Sequence, residues 1–362
     1  MLTKRGRLAL FLAAIALIAI SLALLSGVNG GAADDDAGQP GPVVSVPTAS
    51  APSAPPERGP TPPAEGAWVG AWVKPDLPTQ KGMVESVRKF EEQLGRPLDV
   101  VQVYHQWDDD FPTEADKDFV RQGRTLLLSW SGDDTRVIVS GRYDRQIAER
   151  AEAVKALGAP ILLRWRWEMN RPNLQGSVWS GADFVAAWKH IRTIFTDVGA
   201  TNAAWVWCPI ASGFDQTQGP SYYPGDDQVD WLCTDVYPGP DYRSFSDVAS
   251  EFMAWAAGHD KPVLIAEYGA EDGEPGQRTG WLNATSTFVK THPQIKGLVY
   301  FDARHQDSGR DRDFSLVPGT SPWKAFVAMA RQPYFDTGPP LAQPSASALP
   351  SAGLPSASGS GG

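Results

Sequence analysis

The feature of the sequence that most constrains its fold is a regular alternation of short apolar runs with longer amphipathic segments, from Trp68 to about Phe335. Eight apolar or aromatic runs recur at intervals of about 33 residues, and helical patterns separate most of them. This alternation is typical of a parallel α/β fold. Eight units of this length are the number that closes a barrel, so we predict a (β/α)8 TIM barrel.

The predicted strands are WVGAWVK from Trp68, DVVQVYHQW from Asp99, TLLLSWSG from Thr125, PILLRWRWEMN from Pro160, AAWVWCPI from Ala203, VDWLCTDVYP from Val229, PVLIAEYGA from Pro262 and KGLVYFDAR from Lys296. The helical patterns that include Met83, Tyr143 and Ala182 each end at a glycine, which suits a helix C-terminus. The connection between the fifth and sixth strands reads as irregular and polar. A doubly wound open sheet is the alternative, but no glycine-rich phosphate loop follows the first strand.

The two ends of the chain differ from this middle. Basic residues precede an apolar run from Leu8 to Leu25, an arrangement typical of an export signal. The run just reaches the length that spans a bilayer, so we expect residues 1–33 to be a cleaved signal peptide or a membrane anchor, and the protein to be extracellular in either case. We predict a Pro/Ala-rich linker over residues 34–66, the barrel domain over 67–336 and a disordered tail over 337–362.

Composition excludes several partners and cofactors. A net charge of −10 opposes binding to nucleic acid, so we expect a neutral substrate. The five histidines form neither an HxH pair nor an HExxH motif, so we predict no metal site. We also expect no cofactor and a monomeric protein. Cys208 and Cys233 lie on consecutive predicted strands. Export favours their pairing, whereas neighbouring parallel strands seldom give good disulfide geometry, so the pairing stays open.

Two glutamates stand at predicted strand ends, where the active site of a TIM barrel lies. Glu168 follows the fourth strand and Glu267 closes the seventh, 99 residues later, so we expect them to face each other across the barrel. Two carboxylates about 5 Å apart around an anomeric carbon catalyse retaining glycoside hydrolysis, in which one attacks while the other protonates the leaving oxygen. Structural acids held in salt bridges are the alternative reading.

Three sequence phrases, two of which contain the glutamates, favour the catalytic interpretation. They are RWRWEMN from Arg164, YYPGDDQVDW from Tyr222 and AEYGA from Ala266. Their wording and their order along the barrel resemble glycoside hydrolase family 26, which belongs to clan A of the barrel glycosidases. The resemblance implies that Glu168 is the acid/base and Glu267 the nucleophile, that Arg164 supports the carboxylates from below, that Asn170 belongs to the site, and that Tyr237 donates a hydrogen bond to the nucleophile.

Further residues near strand ends are candidates for binding sugar, since flat sugar faces pack on aromatic rings while hydroxyls bond to polar neighbours. The candidates are Trp72, His105, Trp107, Trp130, Asp235 and Phe301. Three positions depart from the family pattern. Trp167 stands where a His commonly precedes the acid/base, Ile210 stands where an Asn often follows the fifth strand, and the eighth strand ends at Phe301 without the usual platform Trp.

The function that the resemblance implies is endo-acting, retaining hydrolysis of a β-linked polysaccharide, with β-1,4-mannan as the first expectation. Mixed-linkage β-1,3-1,4-glucan and β-1,3-xylan are alternatives within the same family. The rival from another class is a non-catalytic, surface-displayed carbohydrate-binding barrel that kept the carboxylates and lost its sugar platform. Release of product from a polysaccharide distinguishes the enzyme from this rival.

Overall fold

The computed structural model describes residues 59–307 and 310–337. The expected signal or anchor (1–33), most of the predicted linker (34–58) and nearly all of the predicted tail (338–362) lie outside the described residues. Within the described part of the chain, no helix combines the length and the apolar character that crossing a membrane requires.

Eight parallel strands close into a barrel in chain order, as the sequence predicts. They are β1 (Trp68–Val73), β2 (Val100–His105), β3 (Thr125–Trp130), β4 (Ile161–Trp165), β5 (Ala203–Trp207), β6 (Trp231–Val236), β7 (Val263–Tyr268) and β8 (Ile295–Asp302). The barrel closes where β8 pairs with β1, with Trp68 beside Gly297. The predicted (β/α)8 TIM barrel is confirmed.

Helices surround this barrel. They are α1 (Gln80–Leu94), α2 (Glu114–Arg121), α3 (Thr135–Val139), α4 (Asp144–Leu157), α5 (Gln175–Val178), α6 (Gly181–Val198), α7 (Phe245–Ala256), α8 (Gln277–Thr291) and α9 (Ser321–Ala330). Gly95, Gly158 and Gly199 end α1, α4 and α6 in the left-handed conformation, as their sequence pattern predicts. A hairpin of β9 (Arg304–Asp307) and β10 (Arg310–Asp313) follows the barrel and was not predicted.

The lower end of the barrel interior, toward the amino ends of the strands, is apolar. Its side chains include Trp68, Val100, Leu127, Leu162, Ala204, Trp231, Leu264 and Val299. The rings of Trp68 and Trp231 stack with their centroids 5.4 Å apart. Gly59 is buried against Ala204, so closely that a Cβ at residue 59 would lie 2.2 Å from the Ala204 Cβ. The chain just before the barrel therefore packs against its lower end.

A disulfide joins Cys208 and Cys233 inside the barrel, with their Cα atoms 4.3 Å apart. The register of β5 and β6 places Trp207 beside Leu232, so the next residue on each strand is also a direct neighbour. Both cysteine side chains belong to the barrel interior. The pairing that the sequence leaves open is thus present, with Cys208 Sγ 3.7 Å from Arg164 Nη1.

Candidate active site

A bulge in β7 directs Glu267 into the barrel. The register between β6 and β7 shifts after Thr234, which pairs with Ile265, so that the next residue, Asp235, lies beside Glu267. Ala266 is the extra residue, and its side chain lies inside the barrel. Since successive side chains of a regular strand alternate between faces, the bulge allows Glu267 to face inward as well.

Three donors hold the carboxylate of Glu267. Its Oε1 accepts from the Tyr104 hydroxyl at 2.7 Å and from Arg164 Nη2 at 2.7 Å, and its Oε2 accepts from the Tyr237 hydroxyl at 2.9 Å. Burial and the charge of Glu267 raise the pKa of both tyrosines, so both hydroxyls remain protonated donors. The two carboxylate oxygens are therefore fixed in position.

Arg164 is the buried cation beneath the site. Its Nη1 donates to Asp235 Oδ1 at 3.0 Å and its Nε to Ser129 Oγ at 2.9 Å, in addition to the bond to Glu267. The ring of Trp167 lies over the guanidinium, 5.0 Å from its carbon atom. Burial opposes the charge of Arg164, but Asp235 and Glu267 more than offset this and raise its pKa. Arg164 thus remains a fixed positive charge below the nucleophile candidate.

Glu168 lies three residues beyond the end of β4, in a tight turn. The backbone is left-handed at Arg166 (φ 49°) and Glu168 (φ 54°), a conformation that is unfavourable for residues other than glycine. The backbone N–H of Glu168 donates to the Cys208 carbonyl at 2.7 Å, which ties the turn to the end of β5. The Glu168 side chain is buried, and its Oε2 accepts from Arg171 Nη1 at 2.7 Å.

The two glutamates share one cleft. Both line a cavity of about 270 Å³ at the carboxyl end of the barrel. Burial raises the pKa of Glu168 and the nearby charge of Glu267 raises it further, while the ion pair with Arg171 opposes both effects. The structure therefore brings together the two acids that the sequence places at the ends of β4 and β7.

Several of the predicted binding residues lie at this cleft. Tyr237 and Phe301 line it together with Glu168 and Glu267. Trp72 is partly exposed and meets the Tyr104 ring edge-on, with centroids 5.0 Å apart. Tyr237 and Phe301 thus offer rings in the cleft against which a sugar can pack, whereas Trp72 reaches the site only through its contact with Tyr104.

Two other predicted residues support the site from behind. Asp235 is 1% exposed and lies beneath Arg164, so it holds that cation and does not reach the cleft. Asn170 is 2% exposed; its Oδ1 accepts from the Ile210 backbone N–H at 2.9 Å and its Nδ2 donates to Thr217 Oγ1 at 2.6 Å. Asn170 therefore fixes the loop that follows β5.

The structure does not bring His105, Trp107 and Trp130 to the cleft. Trp130 is fully buried and stacks on Trp107 with centroids 4.5 Å apart. His105 Nε2 lies 2.9 Å from a carboxylate oxygen of α2. Because side chains alternate along a strand, His105 and Trp130 point toward the helices, whereas their neighbours Tyr104 and Ser129 point into the barrel.

Sequence reasoning missed several residues of the site. Tyr104 was detectable, since it has the same strand parity as Val100, whose side chain belongs to the barrel interior. Arg171, Arg312 and Phe314 also line the cleft. Arg171 lies in a loop, Arg312 on β10 of the hairpin and Phe314 directly after it, and in none of these places does an apolar pattern indicate which side chains face the active site.

Comparison with known proteins agrees with this geometry. Residues 98–274 match the family model described as Glycosyl hydrolase family 26. Endoglucanase H of Acetivibrio thermocellus is 30% identical over 268 residues, which are 68% of this chain and 29% of that protein. A β-1,3-xylanase of an Alcaligenes species is 27% identical over 170 residues, which are 44% of this chain and 34% of that protein. The chain thus spans about a third of the length of each relative.

A solved structure supports the fold. The GH26 β-mannanase from Bacteroides ovatus superposes with a TM-score of 0.54 at 19% identity, over 75% of this chain and 90% of that one. At this level of identity the likeness concerns the barrel architecture. The sequence resemblance to family 26 is confirmed by the family match.

Proposed function

Residues 98–274 are a domain of glycosyl hydrolase family 26, and on that premise we propose that the chain is a retaining endo-β-glycanase. The observation that carries this proposal is the pair of buried carboxylates, Glu168 and Glu267, in one cleft with different surroundings. Three donors fix Glu267, whereas burial and the neighbouring charge raise the pKa of Glu168. Carboxylates whose environments differ in this way suit one acid and one nucleophile.

In the first step, Glu267 attacks the anomeric carbon of the sugar bound between the two acids. Glu168 gives its proton to the glycosidic oxygen, the bond from that oxygen to the anomeric carbon breaks, and an ester between Glu267 and the sugar forms. Tyr104, Arg164 and Tyr237 orient the attacking oxygen. Pre-orientation of this kind lowers the entropic part of the barrier.

In the second step, the ionised Glu168 accepts a proton from a water molecule that attacks the anomeric carbon. The bond to Glu267 breaks, and two displacements on the same carbon leave the anomeric configuration retained. Arg171, which lies 2.7 Å from Glu168 Oε2, stabilises the negative charge that Glu168 carries at this stage.

For the substrate, we propose a β-linked polysaccharide. The family resemblance favours β-1,4-mannan, and Phe301 and Phe314 supply aromatic rings in the cleft. The 30% identical relative is named an endoglucanase, which favours β-glucan as a second candidate. The other relative is named a β-1,3-xylanase and adds that polymer to the set to be tested.

The test is a panel of β-1,4-mannan, mixed-linkage β-glucan and β-1,3-xylan, with the release of reducing ends as the readout. We expect wild-type protein to release product from at least one polymer, and Glu168→Gln and Glu267→Gln to lose most of that activity. Viscosity measured in parallel should fall early, as endo-acting cleavage requires. Binding to these polymers without product would instead support the non-catalytic barrel.

We further propose that the enzyme acts outside the cell membrane. The apolar run from Leu8 to Leu25 behind basic residues supports export. The disulfide between Cys208 and Cys233 fits an oxidising compartment. Added protease should digest the barrel on intact cells or in the medium; a barrel found only inside intact cells would refute this placement.

A further inference from the structure

A second pocket opens beside Glu168. It has a volume of about 190 Å³, and its lining includes Gly132, Arg166, Trp167, Glu168 and Arg171. We name it the arginine pocket. It shares Glu168 and Arg171 with the catalytic cleft, but Glu267 lines only the latter. The two spaces therefore meet at the acid/base candidate.

The position of Glu168 between them indicates which sugar each space holds. On the proposed function, the sugar that is attacked must contact both glutamates, so it occupies the catalytic cleft. The departing sugar receives a proton from Glu168 and has no contact with the nucleophile. The arginine pocket is thus the place of the sugar on the leaving-group side, with the Trp167 ring as a surface for it.

Arg166 brings to this pocket a buried positive charge that has no direct ion-pair partner among the described residues. It is 7% exposed, and within the described part of the chain its Nε has no hydrogen-bond partner and its guanidinium forms no ion pair with a carboxylate within 4.0 Å. Its Nη2 donates to Ser177 Oγ. Asp133 accepts from Tyr143 and Asp134 caps the start of α3, and neither accepts a hydrogen bond from Arg166 directly. Burial lowers the pKa of Arg166, and the charges of the two aspartates, which favour its charged form, offset this only in part. A buried cation without a paired anion is costly, so a bound anion would stabilise it.

The glycine at position 132 leaves space for the Arg166 side chain. A Cβ at Gly132 would lie 2.4 Å from Arg166 Cδ and 2.9 Å from Arg166 Nη1. Contacts this short do not occur in proteins, so a side chain at residue 132 would displace the guanidinium. Glycine at this position therefore leaves the space that the Arg166 side chain occupies next to the loop that follows β3.

We propose that the arginine pocket binds the carboxylate of a uronic-acid residue on the leaving-group side, so that the substrate is an acidic β-glycan. The proposal rests on the proposed function and narrows its substrate class. Arg166 and Arg171 would donate charge-assisted hydrogen bonds to the carboxylate. The net charge of −10 favours a neutral substrate, but that average acts weakly here because salt screens exposed charges beyond about 8 Å.

The test uses β-1,4-mannan and mixed-linkage β-glucan, each intact and partially oxidised at C6 to uronic acid. Cleavage turns the sugar on the leaving-group side into a new non-reducing end, which mass spectrometry of the products identifies. We expect wild-type protein to enrich uronic acid at these ends by about tenfold over its share in the polymer, which corresponds to one net hydrogen bond to a charged group. The enrichment is a ratio within one digest, so a general loss of activity does not change it.

The variants are Arg166→Gln and, as a matched control, Arg145→Gln, which removes an equal charge from the exposed face of α4. We expect Arg166→Gln to abolish the enrichment and Arg145→Gln to keep it. No enrichment by wild-type protein, or equal enrichment by both variants, would overturn the acidic subsite while cleavage of the intact polymers upholds the glycanase. Failure to cleave any of the polymers would overturn both proposals.

Discussion

The ends of β7 and β4 each place a glutamate in the same cleft, but the surroundings of the two glutamates differ. At β7 a bulge directs Glu267 among three donors that hold both its oxygens. At β4 the strand has already ended, and a left-handed turn places Glu168 in a buried position with Arg171 as its ion-pair partner. The difference teaches that surroundings, more than residue type, assign chemical roles to paired carboxylates.

The two ends also differ in rigidity. The partners of Glu267 lie on or directly after barrel strands: Tyr104 on β2, Arg164 on β4 and Tyr237 after β6. The ion-pair partner of Glu168, Arg171, comes from a loop and its side chain is 37% exposed. A nucleophile needs a fixed position, while a group that changes protonation twice per cycle can use an adaptable partner.

Replacing the nucleophile should have the largest effect. Glu267→Gln keeps the side-chain shape but removes the attacking oxygen anion, so we expect kcat to fall by about four orders of magnitude. The loss should be similar for the polymer and for an activated aryl glycoside, because both need the attack. Full turnover by this variant on either substrate would refute the role assigned to Glu267.

Replacing the acid/base should separate the two substrates. Glu168→Ala should lower kcat on the polymer by about 10³-fold, since general acid catalysis is lost. A 2,4-dinitrophenyl glycoside needs no proton on its leaving group, so this variant should still release dinitrophenolate in an initial burst, and added azide should speed turnover. An equal loss on both substrates would contradict the division of roles.

Removing one donor from Glu267 should have an intermediate effect. We expect Tyr104→Phe and Tyr237→Phe each to lower kcat/KM by about 10- to 100-fold, the usual range for a hydrogen bond to a charged group. Tyr334→Phe, which lies far from the cleft and contacts the Val289 carbonyl, serves as the matched control. If Tyr104→Phe and Tyr237→Phe behaved like this control, their hydrogen bonds to Glu267 would not contribute to its role as nucleophile.

Removing Arg171 should have the smallest effect, seen as a change in pH dependence. The first step requires protonated Glu168, so activity is lost as pH rises through its pKa, which burial and Glu267 raise. Arg171 lowers that pKa, so Arg171→Gln should move the alkaline limb of kcat to higher pH. Arg145→Gln should leave the limb in place, and a shift to lower pH in Arg171→Gln would contradict this reading.

The fold could be predicted in detail because its signals are local and repeated. Eight apolar runs mark the strands, and glycines such as Gly95 and Gly199 mark helix ends. The hairpin of β9 and β10 was missed because its sequence is polar and charged, with no apolar face to indicate a strand.

The site was predictable only in part. Motif resemblance placed Glu168, Glu267, Arg164 and Tyr237, and the structure brings all four together. His105 and Trp130 were assigned to the wrong face of their strands. A shift of one residue along a strand moves a side chain from the barrel interior to the helix layer. The bulge at Ala266 could not be anticipated either, since it depends on pairing with both neighbouring strands.

The central claim is that Glu267 attacks the sugar that Glu168 activates, and covalent trapping tests it most directly. Wild-type protein would be incubated with the 2,4-dinitrophenyl 2-deoxy-2-fluoro-β-glycosides of cellobiose and mannobiose, then digested and mapped by mass spectrometry. We predict a glycosyl ester on Glu267, within the peptide that contains β7. An ester on Glu168 or on any other residue, or release of products with inverted anomeric configuration, would contradict the account.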